Sequence, residues 1–71
     1  SAALPKLQGR VLLADDDPDL RHLEAALLQD FGLAVTTAAD GSAALRAAMR
    51  ERFEVIILDM HMPELDGLAT T

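Results

Sequence analysis

The chain has 71 residues, enough for one small domain. At this size folding buries only about 60% of the surface an unfolded chain exposes. Twelve acidic against six basic residues leave a formal net charge of −6. A phosphate backbone would be repelled, so the chain is a poor candidate for direct nucleic-acid binding, and a metal cation or a basic surface suits it better. Cysteine is absent, which excludes disulfides and zinc–thiolate sites and fits a reducing, cytoplasmic compartment. No apolar run approaches the roughly 20 residues that span a bilayer, and no basic-then-apolar signal segment opens the chain.

Residues 1–9 read as a linker or tag remnant. Leu4-Pro5 and Gln8-Gly9 punctuate it, and its apolar residues keep no period. Ser1 in place of Met marks a cut or processed product. Val11-Leu12-Leu13-Ala14 is the first strand, and it runs straight into Asp15, Asp16 and Asp17. Asp17 before Pro18 starts a helix: the aspartate caps an orphan amide, and proline has no amide to lose. Asp19 suits the positive end of that helix. Leu20, Leu23, Leu27 and Phe31 follow at helical spacing, with Leu28 widening the stripe. Gly32 closes the helix. Leu33 to Ala38 is a second strand, placed at a sheet edge by Thr36 and Thr37. Asp40-Gly41-Ser42 opens a second helix with an apolar face of Ala44, Leu45, Ala48 and Met49. Val55-Ile56-Ile57-Leu58 is a third strand, ending in Asp59. A loop through Pro63 to Asp66-Gly67 follows, and Leu68 to Thr71 reads as the first turn of a third helix.

The order β-α-β-α-β predicts an α/β fold with a parallel sheet and crossover helices. The first and third strands are the most apolar, so they belong at the centre with the polar second strand outside, giving spatial order 2-1-3. Right-handed crossovers that reverse direction place the two helices on opposite faces. The carboxyl ends of strands one and three then open a crevice together, the ligand position of flavodoxin-like sheets. Asp15, Asp16 and Asp59 fall there.

Converging carboxylates must bind protons or a cation. A few carboxylates with waters suit magnesium. Calcium asks for more protein oxygens, and Asp15-Asp16-Asp17 lacks the alternation and glycine of an EF-hand loop. Zinc is disfavoured, because His61 is the only nearby nitrogen ligand. A magnesium ion beside a strand-end carboxylate lets that carboxylate attack a phosphoryl group. Read alone, Asp59 is equally a strand followed by a polar turn, and Asp17 and Asp19 are first of all an acidic helix start.

Three motifs in order carry a family resemblance: Leu12-Leu13-Ala14-Asp15-Asp16-Asp17-Pro18, Asp40-Gly41-Ser42-Ala43-Ala44-Leu45, and Ile57-Leu58-Asp59-Met60-His61-Met62-Pro63-Glu64-Leu65-Asp66-Gly67. Together they resemble the receiver domain of two-component response regulators over residues 10–71. The resemblance implies that Asp59 is the phospho-acceptor, charged by a histidine kinase in a phosphorelay. It implies Mg2+ held directly by Asp16, mostly through water by Asp15, and also by Asp59 and the backbone carbonyl of His61. Pro63 and Gly67 would shape the loop into the third helix. The His61 side chain either tunes phosphoryl loss or is an exposed loop residue whose backbone alone matters. His22 reads as a partly exposed surface histidine, and Met49, Met60 and Met62 as core and loop packing.

The resemblance also implies five strands. The fourth and fifth, with a Ser or Thr and a Lys that contact the phosphoryl group, are absent from this sequence. An unpaired third-strand edge invites a second copy, so a homodimer through that edge is expected. Residues before Arg10 look like a join to an upstream domain, such as a hybrid sensor kinase. Two other functions compete with a phospho-accepting module that is not itself an enzyme. One is an interaction-only receiver. The other is a Mg2+-dependent phosphohydrolase using Asp59, disfavoured because haloacid-dehalogenase-type phosphatases carry a second aspartate where His61 stands.

Overall fold

The protein is described here by a computed structural model covering residues 8–59. The predicted linker up to Leu7, and Met60, His61, Met62, Pro63, Gly67 and the predicted third helix, lie outside the described residues. Within them the chain forms β1 (Arg10–Asp15), α1 (Pro18–Asp30), β2 (Ala34–Ala38), α2 (Gly41–Arg50) and β3 (Val55–Asp59). The sheet is parallel in the predicted order β2-β1-β3. β1 takes the centre because it can be buried along its length: Val11, Leu12, Leu13 and Ala14 are almost wholly enclosed. β2, with Thr36 and Thr37, lies at an edge and pairs only with β1 among the described strands.

Both helices start where the sequence places them. Asp17 caps α1, its Oδ1 accepting from the amides of Asp19 (2.9 Å) and Leu20 (3.3 Å), with Pro18 at the first helical position. Asp40 caps α2 by accepting from the Ala43 amide at 2.7 Å. The end of α1 is a Schellman turn. Gly32 takes a φ of 99°, its amide donates to the Gln29 carbonyl, and the Leu33 amide donates to that of Leu28. That turn delivers the chain into β2, registered as Arg10 opposite Ala34 through Ala14 opposite Ala38.

The two helices cover opposite faces. α2 packs Ala44 and Ala47 onto Leu12, Ala14 and Ala38, with Phe53 at the margin. An apolar groove of about 270 Å³ continues this face between α2 and β3, lined by Leu12, Ala44, Leu45, Ala48, Ile56 and Leu58. Side chains alternate along a strand, so Val11, Leu13 and Asp15 face the other way, toward α1.

The predicted apolar faces of the helices need correction. In α1 the residues turned to the protein are Arg21, Glu24, Ala25 and Leu28, whereas Leu20, Leu23, Leu27 and Phe31 are about half exposed. Both sets have helical spacing and lie side by side on the cylinder. Small Ala25, the one buried residue of α1, lets the backbone approach the sheet, which turns the larger leucines outward. The same applies to α2, where Ala44 and Ala47 are buried but Leu45, Ala48 and Met49 are exposed. Met49 is 78% exposed and is no core residue. Against expectation β1 is longer by one residue at each end, Arg10 and Asp15, β2 loses Leu33, and β3 is as predicted with Asp59 as its last residue.

Candidate metal centre

The site follows from strand register. β1 and β3 are parallel neighbours with Leu13 opposite Ile57 and Asp15 opposite Asp59. Strands in a sheet lie about 4.8 Å apart, and partners in register point to the same face. Two carboxylates are thereby brought together at the carboxyl ends of adjacent strands, on the face covered by α1. The same face receives Glu24, two turns into α1. One carboxylate oxygen from each of Asp15, Glu24 and Asp59 lies within 4.8 Å of the others.

The three differ in surroundings. Asp15 is only 2% exposed. Its Oδ1 accepts from the Asp17 amide at 2.9 Å, and Arg21 reaches back from α1 to donate to the Asp15 carbonyl at 2.9 Å. Its Oδ2 is buried with no donor, as is Oε1 of half-buried Glu24. Asp59 is exposed, open to an incoming group. Two facing acceptors without a donor are satisfied by a shared proton or by a cation. Hydrogen bonding to the facing Glu24 carboxyl holds Asp15 below its ordinary range, helped by the Asp17 amide and nearby Arg21 and opposed by burial. The same hydrogen bond pushes Glu24 up to about 7, with desolvation and the charges of Asp15 and Asp59 adding to it.

Of the residues expected to hold a metal, Asp15 and Asp59 are brought together. Asp16 is the exposed residue just after β1 and is not part of the three-carboxylate group. The His61 carbonyl lies outside the described residues. His22 is on the exposed side of α1, away from this chemistry. Glu24 was not anticipated. It belongs to the stripe Arg21, Glu24, Ala25 and Leu28, and choosing that stripe over Leu20, Leu23 and Leu27 would have placed it under the strand ends. The donor set fits a hard divalent cation: only carboxylate oxygens, two of them buried acceptors without partners. Among the described residues no helix is long and apolar enough to cross a membrane.

Comparison with known proteins agrees with this geometry. Residues 11–71 match the family described as the response regulator receiver domain. The transcriptional activator protein PfeR of Pseudomonas aeruginosa is 48% identical over 60 residues, covering 84% of this chain and 20% of the relative. The sensor protein GacS of Pseudomonas syringae is 39% identical over 62 residues, covering 87% of this chain and 7% of GacS. The chemotaxis response regulator CheY4 of Vibrio cholerae superposes with a TM-score of 0.74 at 46% identity, covering 80% of this chain and 48% of CheY4. The chain thus spans less than half the length of each of these relatives. With the sheet order, the paired strand-end carboxylates and a match over most of its length, the chain belongs to the response regulator receiver domain family.

Proposed function

We propose that the chain is the phospho-accepting part of a cytoplasmic two-component phosphorelay, with Asp59 as acceptor and a histidine kinase as donor. The observation that carries this reading is the register pair Asp15–Asp59, which sets an exposed carboxylate beside a buried one whose Oδ2 lacks a donor. Asp15, Asp16, Asp59 and the backbone carbonyl of His61 would hold Mg2+. When bound, the ion neutralises charge on the transferring phosphoryl oxygens.

The chain's own residues supply position and access. β3 presents Asp59 at its exposed carboxyl end, open to a bulky phosphohistidine. An Asp59 oxygen attacks phosphorus and forms an acyl phosphate. The donor's P–N bond breaks, and its electron pair returns to the imidazole nitrogen, which takes up a proton. The Asp17 amide and Arg21 fix Asp15 from both of its ends, backbone and side chain, so the second carboxylate stays in place while Asp59 changes charge. Release of the phosphoryl group to water is slow self-hydrolysis, and the chain is not a turnover phosphatase. Pairing of a second copy along the outer side of β3 belongs to the same proposal, and sedimentation showing only folded monomer at high concentration would remove it.

The test is incubation with magnesium and acetyl phosphate, followed by intact mass. A single phosphoryl adduct, absent in Asp59→Asn, is the expected result. Continuous release of phosphate would instead identify a hydrolase. Absence of any adduct or beryllofluoride response would leave an interaction-only receiver.

A further inference from the structure

The motifs that mark the metal pocket all come from the loops and strand ends, yet a third carboxylate enters it from the side, on α1. We propose that Glu24 is a further ligand of the divalent cation, making this pocket richer in protein oxygens than its motif residues alone provide. The proposal rests on the cation-site reading above and extends it to a residue outside those motifs.

Three observations converge on Glu24. Its carboxylate shares a 4.8 Å cluster with Asp15 and Asp59. Oxygens around one cation at about 2.1–2.5 Å are separated by up to about 4–5 Å when they lie opposite each other, so one ion can meet all three. Second, Asp15 is 98% enclosed by its 2% exposure, and its Oδ2 has no donor. That buried acceptor, on a residue of the same cluster, calls for a proton or a cation. Third, the neighbouring cation of the protein is already committed elsewhere. Arg21 donates to the Asp15 carbonyl, and among the described residues Glu24 Oε1 has no hydrogen-bond donor.

Position on the helix adds to this. Glu24 lies on the stripe with Ala25 and Leu28 that α1 turns toward the sheet. An apolar side chain there would simply add to the core, whereas a carboxylate costs desolvation unless something pairs with it. Nothing in the fold requires a carboxylate at this place: α1 is capped by Asp17, and its first turn already has Asp19. The residue is explained by the ion. With Glu24 included, side-chain ligands come from β1, β3 and α1, so cation binding ties the helix to both strands.

The experiment measures cation binding directly. Mn2+ binding to the protein is followed by electron paramagnetic resonance of the free ion, for the wild type and for Asp15→Asn, Glu24→Gln and Glu24→Leu. The Leu variant suits the apolar stripe and guards against a misfolded Gln variant. Both Glu24 variants should lose affinity by about tenfold, the lower end of what removing a group around a metal costs. In the wild type, the Glu24 side-chain carboxyl 13C resonance should shift on Mg2+ addition along the same isotherm as that of Asp15. Retained affinity in both Glu24 variants with a loss in Asp15→Asn overturns the role of Glu24 while leaving the pocket intact. Tighter binding in either variant also overturns it. No loss in Asp15→Asn overturns the cation-site reading itself.

Discussion

The two ends of the sheet are built on opposite electrostatic plans. At the amino end of the strands, opposite charges meet. The Arg10 guanidinium pairs with Glu51 and lies 5.7 Å from the centre of the Phe53 ring, while the Arg10 amide donates to the Glu54 carboxylate at 2.6 Å. At the carboxyl end, Asp15, Glu24 and Asp59 crowd together with like charge, and two buried oxygens lack donors. The first end closes the fold, and the second holds a repulsion that only a proton or a cation relieves. Binding capacity is thus kept where stability is given up.

Removing a carboxylate from the crowded end tests this most severely. Asp15→Asn should lower divalent-cation affinity and phosphoryl acceptance on the order of 100-fold. In chelator, above the Glu24 pKa, Glu24→Leu should melt higher than the wild type, since a carboxylate held among like charges is gone. A lower melting temperature in chelator would break the contrast between the two ends.

The pH dependence of the cation-free protein gives the next largest effect. Glu24 has a folded pKa of about 7 against an ordinary 4.5. Between those values the folded state holds more protons than the unfolded state, so stability should fall as pH rises through that window. Asp15, whose pKa is lowered from 3.8, acts with the other sign: its contribution is present above its ordinary value and is lost as pH falls below it. Thermal melts in chelator from about pH 5 to about pH 8 should therefore show a decline. Glu24→Leu or saturating Mg2+ should flatten it. A rise over the same range would sink the assignment of the proton to Glu24.

Asp17 sharpens the comparison from within the acidic end. It is a carboxylate with donors, the amides of Asp19 and Leu20. Asp17→Ala should cost about 1 kcal/mol of stability as a lost helix cap, with cation affinity nearly unchanged. The smallest effect belongs to the paired end. The Arg10 side chain is half exposed, so solvent screens its ion pair, and Arg10→Ala should cost about 0.5 kcal/mol in urea unfolding.

Backbone chemistry was the most legible part of the sequence. The Asp17-Pro18 and Asp40-Gly41 starts and the Gly32 stop act locally, through one side chain and one turn, and all three stand where the sequence puts them. Strand order followed from relative apolarity, because β2, with Thr36 and Thr37, is the most polar strand and is left at an edge. The helix faces were not legible. Leu20–Leu23–Leu27 outweighs Glu24–Ala25–Leu28 in hydrophobicity, and the choice between them is made by how closely a helix can approach the sheet. That distance is set by alanines, which carry little weight in a hydrophobic pattern. Asp15 and Asp59 were found because each ends an apolar strand. Glu24 was hidden because it belongs to the helix face that the pattern passed over.

Register gives the Arg10–Glu54 contact a significance beyond its energy. A strand has two faces, so which face a side chain occupies is a matter of parity. The Glu54 amide also donates to the Arg10 carbonyl at 2.8 Å, so main chain and side chain both fix the count at the first rung. Five residues later on each strand, that count decides that Asp15 and Asp59 share a face. A deletion of one residue within β3 would remove little of the chain's hydrophobicity, yet turn the acceptor toward the apolar side of α2. The far end of the sheet thus acts as a parity check on the site.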